Sequence, residues 1–579
     1  MAERQTRITF ARAIRRPLGV AMLGGVLAGC GGGGGGDDTG NNSSGAPPPS
    51  ASLPAVQFSN ITNSTGISFV HGIVGGTDSK AEMFAGGAAA GDYDGDGDID
   101  LYIVRGNIGP NLLYRNDGGN RFTDVAAAAG VARANPAGGG YLQSGPVFVD
   151  LDGDGDLDLF VGGLEGDPSA LFENEGDGTF SDVTVTSGVA SLAAVNNISA
   201  SFGDYDLDGD LDMALAHWGT PRPPDGNGGY GDTETLWRND SDASGIRFTD
   251  VSVESGIAAA VIARRGGYGD FQPTALDYDY SFVAAFARMD GDLYPDLLIV
   301  SDFNNSRFFL SNGAQAGPVT FRDATDNAVI IDRNGMGSSI GDVDNDGDLD
   351  WFVTGIFGAS ETVGNRLYRN EGNGLLQDVT VSAGVQDGGW GWGACFADFD
   401  LDGRLDIFHT NGWTNGLNAI DDFEHDRSRL FISQANGLRF SDAAGARGMT
   451  DTEQGRAVVC ADFDGDGDVD IFMTNRGLAN SGALWLNDDP TNANKSLSVR
   501  LVGATPNTEA VGARIRLTIG GNTQMREIAA GSNFTSQTPP VQVFGLGTAS
   551  AADAVEIEWP DGATDSYSNI AAGKVVFHQ

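Results

Sequence analysis

Short apolar runs, four to six residues long, recur along the chain and alternate with clusters of Gly, Asn and Asp. Runs of this length bounded by turn residues predict strands, and nothing in the central part of the chain has the longer period of a helix. Three phrases repeat in order. The first is an aspartate-rich loop followed at once by an apolar strand, as in "DYDGDGDID" from Asp92 and then "LYIV". The second is an apolar-aromatic strand with a polar end: "NLLYRN", "ALFENE", "TLWRND", "RFFLSN", "RLYRNE", "RLFISQ" and "ALWLND". The third is "RFTDV", "TFSDV", "RFTDV", "TFRDA", "LLQDV" and "RFSDA". With the strand that leads into each loop, every unit reads as four strands. A period of roughly 55 to 60 residues marks a repeat architecture, and four-stranded units repeated radially make a β-propeller. Seven loops predict seven blades. After the last "LWLND" no "FTDV" phrase follows, whereas "VQFSNITNSTGISF" from Val56 precedes the first loop. The N-terminal strand is therefore expected to complete the seventh blade and remove the open sheet edges. An open β-solenoid is the alternative.

The loops carry the chemistry. Six are nearly regular, beginning at Asp92, Asp150, Asp204, Asp342, Asp398 and Asp462. Calcium takes six to eight oxygen ligands from a short, sharply turning loop, with carboxylates at positions one, three and five and a backbone carbonyl at seven. Those positions are Asp92, Asp94, Asp96 and Asp98; Asp150, Asp152, Asp154 and Asp156; Asp204, Asp206, Asp208 and Asp210; Asp342, Asp344, Asp346 and Asp348; Asp398, Asp400, Asp402 and Arg404; and Asp462, Asp464, Asp466 and Asp468. Glycine at position six allows the turn. Arg404 is compatible with the pattern only if its side chain points away and its carbonyl coordinates. Helices and a glutamate at position twelve, which an EF-hand needs, are missing. The closing ligand is expected at position nine: Asp100, Asp158, Asp212, Asp350, Asp406 and Asp470. About six structural Ca²⁺ sites are thus predicted. A further loop, "RMDGDLYPD" from Arg288, lacks the position-one aspartate and the position-six glycine, so it is expected to bind weakly or not at all. The alternative is a set of solvated acidic turns, made costly by repulsion among carboxylates a few ångströms apart. These strand-loop-strand sites resemble the loops of integrin α-subunit propellers and of the FG-GAP/VCBS repeat family.

Composition narrows the partners. The net charge is −45, from 79 acidic and 34 basic residues among 579. With no basic surface, nucleic acid is excluded as a partner. The acidity leaves disorder or cation binding, and 40% hydrophobic content with a regular repeat argues for the latter. At the N-terminus, arginines precede "LGVAMLGGVLAGC", a short apolar run ending in small residues. This reads as an export signal over residues 1–29. Leu27-Ala28-Gly29-Cys30 resembles a bacterial lipobox, which implies lipidation of Cys30; an ordinary signal peptide with a chance cysteine is the alternative. Residues 30–54, rich in Gly, Ser and Pro, read as a flexible tether. A lipid-anchored monomer of the cell envelope, or an extracellular protein, is expected. Cys395 and Cys460 lie on apolar strands of neighbouring repeats. They could pair, but buried thiols acting as small apolar side chains are the expectation.

The repeats span residues 55–489. Over residues 490–579, "KSLSVRLVG", "GARIRLTIG" and "AVEIEWPDG" alternate apolar and polar positions, predicting a small β-sandwich-like domain. "VGARIRL", "GSNFTSQ", "FGLG" and "VEIEWPDG", in that order, resemble the ASPIC/UnbV domain. The combination is similar to the cartilage acidic protein family with its bacterial secreted members. That resemblance implies an integrin α-like propeller and a calcium-binding, surface-associated protein with adhesion roles. It implies no agreed chemical activity.

No zinc spacing, phosphate loop or nucleophile elbow is present. The propeller face opposite the acidic loops is expected to carry His217, Trp218, Arg264, Arg265, Trp390, Trp392, Asn411, Trp413, Asn475 and Arg476. Tryptophans on glycine-rich loops could stack on sugars; equally, Trp390 and Trp392 could plug the axis. A non-enzymatic binding protein for glycan or protein partners is the first expectation. A calcium-dependent polysaccharide lyase is the second, with His217 or His409 as base beside Arg264 or Arg476, provided that they converge.

Overall fold

The computed structural model describes residues 58–73, 81–135, 139–192, 196–219, 235–262, 279–313, 318–413, 423–434, 437–477, 481–489 and 492–579. The expected export signal over residues 1–29, Cys30, the expected tether, Arg264 and Arg265 lie outside the described residues. The described chain is all-β, with helices of at most six residues.

Each aspartate repeat folds into a four-stranded antiparallel sheet, and seven such sheets are found among the described residues. Sheet 1 shows the pattern: Gly87–Gly91 runs into the acidic loop, Asp100–Val104 leaves it, and Leu112–Asn116 and Phe122–Asp124 follow outward. Sheets 2 to 6 repeat that order. In sheet 7 the outer place is taken by Phe58–Asn60, which pairs antiparallel with Gly482–Asn487. The entering strands are buried along nearly their whole length, as Gly87–Gly91 and Gln143–Val149 illustrate. Such strands lie against those of adjacent repeats, which explains why their sequences are continuously apolar or small and do not alternate.

A recurrent asparagine ties neighbouring sheets together. Asn174 donates through Nδ2 to the carbonyls of Leu157 in its own sheet and Tyr93 in the preceding one, at 3.1 and 2.9 Å. Asn239, Asn370 and Asn487 reach back in the same way to Leu151, Met289 and Phe399. Asn116 of sheet 1 reaches Phe463 of sheet 7, at 3.0 Å.

Cys395 and Cys460 form a disulfide, with Cα atoms 6.5 Å apart. This corrects the expectation of free buried thiols. The two cysteines stand one residue out of step on the entering strands Gly391–Ala397 and Gln454–Ala461, which run side by side: Cys395 pairs with Phe408, whereas Cys460 pairs with Ile471, so each points from its own strand toward the other.

The C-terminal segment forms a three-stranded and a four-stranded sheet. Leu497, Val499 and Phe544 of one share an apolar core with Ile515, Leu517 and Ile557 of the other. This domain belongs to the same compact unit as the repeats, which runs from Pro54 to Gln579. One of its segments enters the middle of the repeat array. Ser536–Gln537 pairs in parallel with Ala88 and Ala89 of sheet 1. The Gln537 amide accepts from Phe148 N and donates to Phe148 O in sheet 2. Thr535 N donates to Ser199 Oγ in sheet 3, and Asn533 Oδ1 accepts from Ala394 N in sheet 6. The Phe534 ring packs against Phe282 and Trp392, with centroids 5.6 and 5.3 Å away.

Candidate functional site

Every acidic loop is built by its own sheet. Positions one and nine are the ends of two adjacent strands, so the turn between them must be tight. Glycine at position six makes that possible: Gly97, Gly155, Gly209, Gly347, Gly403 and Gly467 all have φ between +92° and +101°. A side chain there would be strained. The position-nine aspartate then staples the loop to the sheet. Asp100 accepts from Tyr93 N at 3.1 Å and from Asn116 N at 2.8 Å. The same two bonds recur at Asp158, Asp212, Asp296, Asp350, Asp406 and Asp470.

The carboxylates converge. Oxygens of Asp92, Asp94 and Asp96 lie within 4.8 Å of one another. So do those of Asp150, Asp152 and Asp158, of Asp204, Asp206 and Asp212, of Asp342, Asp344 and Asp350, and of Asp398, Asp400 and Asp406. Burial, partly offset by the backbone bonds, pushes Asp100 and Asp350 up to about 8. Burial and then neighbouring aspartates raise Asp204 to about 7. Several buried carboxylate oxygens have no partner: one each on Asp92, Asp206, Asp344 and Asp468, and both on Asp400. Oxygen donors that are clustered, desolvated and unpaired suit a hard divalent cation, whose charge would stabilise their ionised forms.

Two positions differ from the regular loops. Arg404 does not point away: its guanidinium folds back on the Asp402 carboxylate and donates to Ser433 Oγ at 3.3 Å. The negative potential of the loop draws its own cation inward. In the fourth loop, Arg288 stands at position one and is buried. Its Nε donates to the Asp292 carbonyl at 2.8 Å, its Nη1 to Gly512 O at 3.3 Å, and its Nη2 pairs with Glu558. This loop therefore carries a covalently attached positive charge where the others present aspartate.

The C-terminal domain sits on this acidic end of the sheets, a placement the sequence did not signal. Arg500 reaches Asp92 and Lys574 reaches Asp462, each at 3.4 Å. Thr508 Oγ1 donates to Asp150, and Gly545 N donates to Asp398 at 3.0 Å. Asn494 Nδ2 donates to the Asp400 carbonyl at 2.8 Å.

The profile of the ASPIC and UnbV family matches residues 503–577, and that of the FG-GAP-like repeat matches residues 92–161, 150–215, 288–353 and 356–409. The chain is an FG-GAP-repeat protein with a C-terminal ASPIC/UnbV domain. It is similar to cartilage acidic protein 1 of Mus musculus, 27% identical over 491 residues, which is 73% of this chain and 71% of that protein. The Homo sapiens protein is 26% identical over 504 residues, 75% of this chain and 71% of that one. Among solved structures, the V. cholerae biofilm matrix protein Bap1 aligns with TM-score 0.31 and 10% identity, over 76% of this chain and 92% of that one. A Penicillium chrysogenum alpha-L-arabinanase complexed with arabinobiose gives 0.33 and 12%, over 76% and 99%. At such scores the likeness says nothing about function.

At the opposite end of the FG-GAP sheets, the residues expected to form a ligand face are mostly packed inward. Trp218 and Trp392 are buried in one aromatic cluster with Phe282 and Phe534. The middle of the array is thus filled by Phe534 of the ASPIC/UnbV domain together with Trp392; Trp390 lies further out, beside Trp413 and Phe423. Asn411 donates to Asp426 at 2.7 Å, and Asn475 to Asp451 at 3.2 Å. Trp413 and Arg476 stay partly exposed, with the guanidinium 4.9 Å from the ring centroid. His217 and His409 do not converge on one site: they belong to sheets 3 and 6 and both are fully buried. Burial, and then Arg429, lowers His409 to about 3. Its ring lies between Phe352 and Phe431 and bonds Asn365 at 3.1 Å.

Proposed function

We propose that this chain is a calcium-binding protein, extracellular or anchored to the cell envelope, that binds or adheres to a glycan or protein partner through the sheet ends opposite its acidic loops. The observation that carries the calcium reading is the set of buried, partnerless carboxylate oxygens in the convergent loops, fullest at Asp400. Positions one, three, five and nine of the six regular loops would hold the ions. There Ca²⁺ would supply the charge that lets four or five carboxylates stay ionised together, a structural role.

We take the seven sheets as blades of one closed propeller. The strand Phe58–Asn60 on the last repeat and the Asn116 bond to Phe463 support this reading. The ASPIC/UnbV domain covers the acidic end, which leaves the opposite end for a partner. The Cys395–Cys460 disulfide suits an oxidising compartment, in keeping with export and a lipid anchor at Cys30. Among the described residues no helix is long and apolar enough to cross a membrane. A polysaccharide lyase would need a base beside a charge-neutralising group. His217 and His409, buried in different sheets, do not favour it.

The test is a polysaccharide panel applied to soluble residues 55–579, with calcium and with chelator. Both retention and new chain ends are read. Calcium-dependent retention without cleavage is the expected result. New chain ends would replace the binding reading with an enzymatic one, and silence on both would remove the glycan partner.

A further inference from the structure

At the sheet ends far from the acidic loops, arginines cluster at one place. Arg456 lies near the start of the entering strand Gln454–Ala461 of sheet 7, and Arg476 ends the next strand, with Gln454 and Arg476 in register. Arg105 follows Asp100–Val104 of sheet 1, and His71 bridges to Gly477. Three guanidinium groups and one imidazole thus gather where sheets 7 and 1 meet, in a chain whose net charge is −45.

Arg456 is the unusual member. It is 2% exposed. Its guanidinium carbon lies 4.3 Å from the ring centroid of Trp392 and 5.1 Å from that of Trp413. Nη1 donates to the carbonyls of Gly412 at 3.1 Å and Gly455 at 2.6 Å. Nε and Nη2 are buried with no hydrogen-bond partner. Among the described residues no carboxylate compensates it: the charged group that acts on it is Arg476, which is repulsive. A buried arginine is ordinarily paired with an acid, because leaving the charge desolvated and alone is expensive. Two N–H groups without an acceptor on a guanidinium held against two indole rings match the two oxygens of a carboxylate or sulfate.

His71 adds a different function. Its Nε2 is also buried without a partner. Burial, then Arg456, lowers this imidazole to about 4, so it is neutral at physiological pH, and the backbone of Ala85 engages the ring. A neutral Nε2 accepts a hydrogen bond and suits a hydroxyl. An oxyanion acceptor beside a hydroxyl donor describes an acidic sugar better than it describes a free inorganic anion. Trp413, partly exposed, offers a ring surface at the same place.

We propose that Arg456, with Arg476 and His71, forms a binding site for the carboxylate or sulfate group of an acidic saccharide. This rests on the reading of the opposite sheet ends as the partner face, and it names the ligand class that face takes.

The experiment measures binding of a galacturonate oligosaccharide, a neutral galactose oligosaccharide and inorganic sulfate to soluble residues 55–579, in calcium, by calorimetry. The variants are Arg456→Gln and Arg476→Gln. Galacturonate is expected to bind at least tenfold more tightly than the neutral sugar, and Arg456→Gln to lose at least tenfold. Unchanged galacturonate affinity in a folded Arg456→Gln variant would overturn the site. Should that variant fail to fold, Arg476→Gln decides, and no loss there overturns it. Neutral sugar bound as well as galacturonate would retain the glycan reading and remove the anion site. Sulfate binding that depends on Arg456, with no saccharide bound, would overturn the saccharide assignment and the glycan partner together.

Discussion

Asn116 shows how one side chain can serve two repeats. Its amide Nδ2 donates to Phe463 O in sheet 7 and, at 3.3 Å, to Ile99 O in its own sheet, while Asn116 N is held by Asp100. Removing the amide strands two buried carbonyls, and an unmet buried acceptor costs about 1–3 kcal/mol. Asn116→Ala is therefore expected to lose about 2 kcal/mol in urea unfolding, and an unchanged midpoint would show that the clasp is idle. His409 makes the second residue-scale prediction. Its native pKa is lowered from 6.5 to about 3 by burial. Below pH 6.5 the unfolded chain takes up a proton there that the native chain refuses. Stability is thus present above that pH and is lost as the pH falls toward 3. Between pH 7 and pH 5 the loss from this group is about 2 kcal/mol. His409→Gln should flatten that part of the pH dependence relative to wild type, and identical slopes would refute it.

At the scale of the element, the seven loops separate into six that begin with an aspartate and one that begins with an arginine. Arg288 is 3% exposed and bonds the Asp292 carbonyl of its loop while pairing with Glu558 of the ASPIC/UnbV domain. Its contribution is covalent and so does not depend on calcium. Replacing it leaves the aspartates of its loop without that charge, while Glu558 keeps its 2.9 Å pair with Arg516. Removing one partner of a buried pair costs about 3–5 kcal/mol, and the pair that remains to Glu558 places the loss toward the lower figure. Arg288→Met should therefore lower the melting temperature as much in chelator as in calcium. A loss seen only in calcium would mean that this loop holds an ion after all.

Across the whole molecule, the repeats and the C-terminal domain are one mechanical unit. The domain sits on the acidic loops through Arg500, Lys574, Thr508 and Gly545, and sends residues 533–537 between the entering strands. Calcium in the loops would therefore stabilise both parts at once. With dissociation constants of about 10⁻⁴ M and about 1 mM calcium, each site adds about 1.4 kcal/mol, and six add about 8 kcal/mol. Chelation is expected to lower the melting temperature by several degrees, with both parts unfolding earlier. A melting curve indifferent to chelator would defeat the calcium reading.

Much of this was legible in the residues alone, because it is local. Strand length, the repeat and the four-stranded unit follow from periodicity, which the backbone obeys wherever it sits. The position-six glycines and the aspartate spacing follow from the geometry of a tight loop. Even the recurring asparagine of "LYRN" was in plain view, although its reach into the preceding sheet was not. What remained hidden depends on which distant segments meet. The pairing of Cys395 with Cys460 needed two entering strands side by side. The inward packing of Trp218, Trp392, His217 and His409 needed the depth of the array. "GSNFTSQ" stands out only as a phrase resembling the ASPIC/UnbV domain, and tertiary packing alone decided that it would enter the middle of the sheet array. Arg456, whose Nε and Nη2 are buried without an acceptor, is the clearest case: an arginine in a sequence is charged and expected at the surface, and only burial by residues far along the chain makes those unmet groups visible.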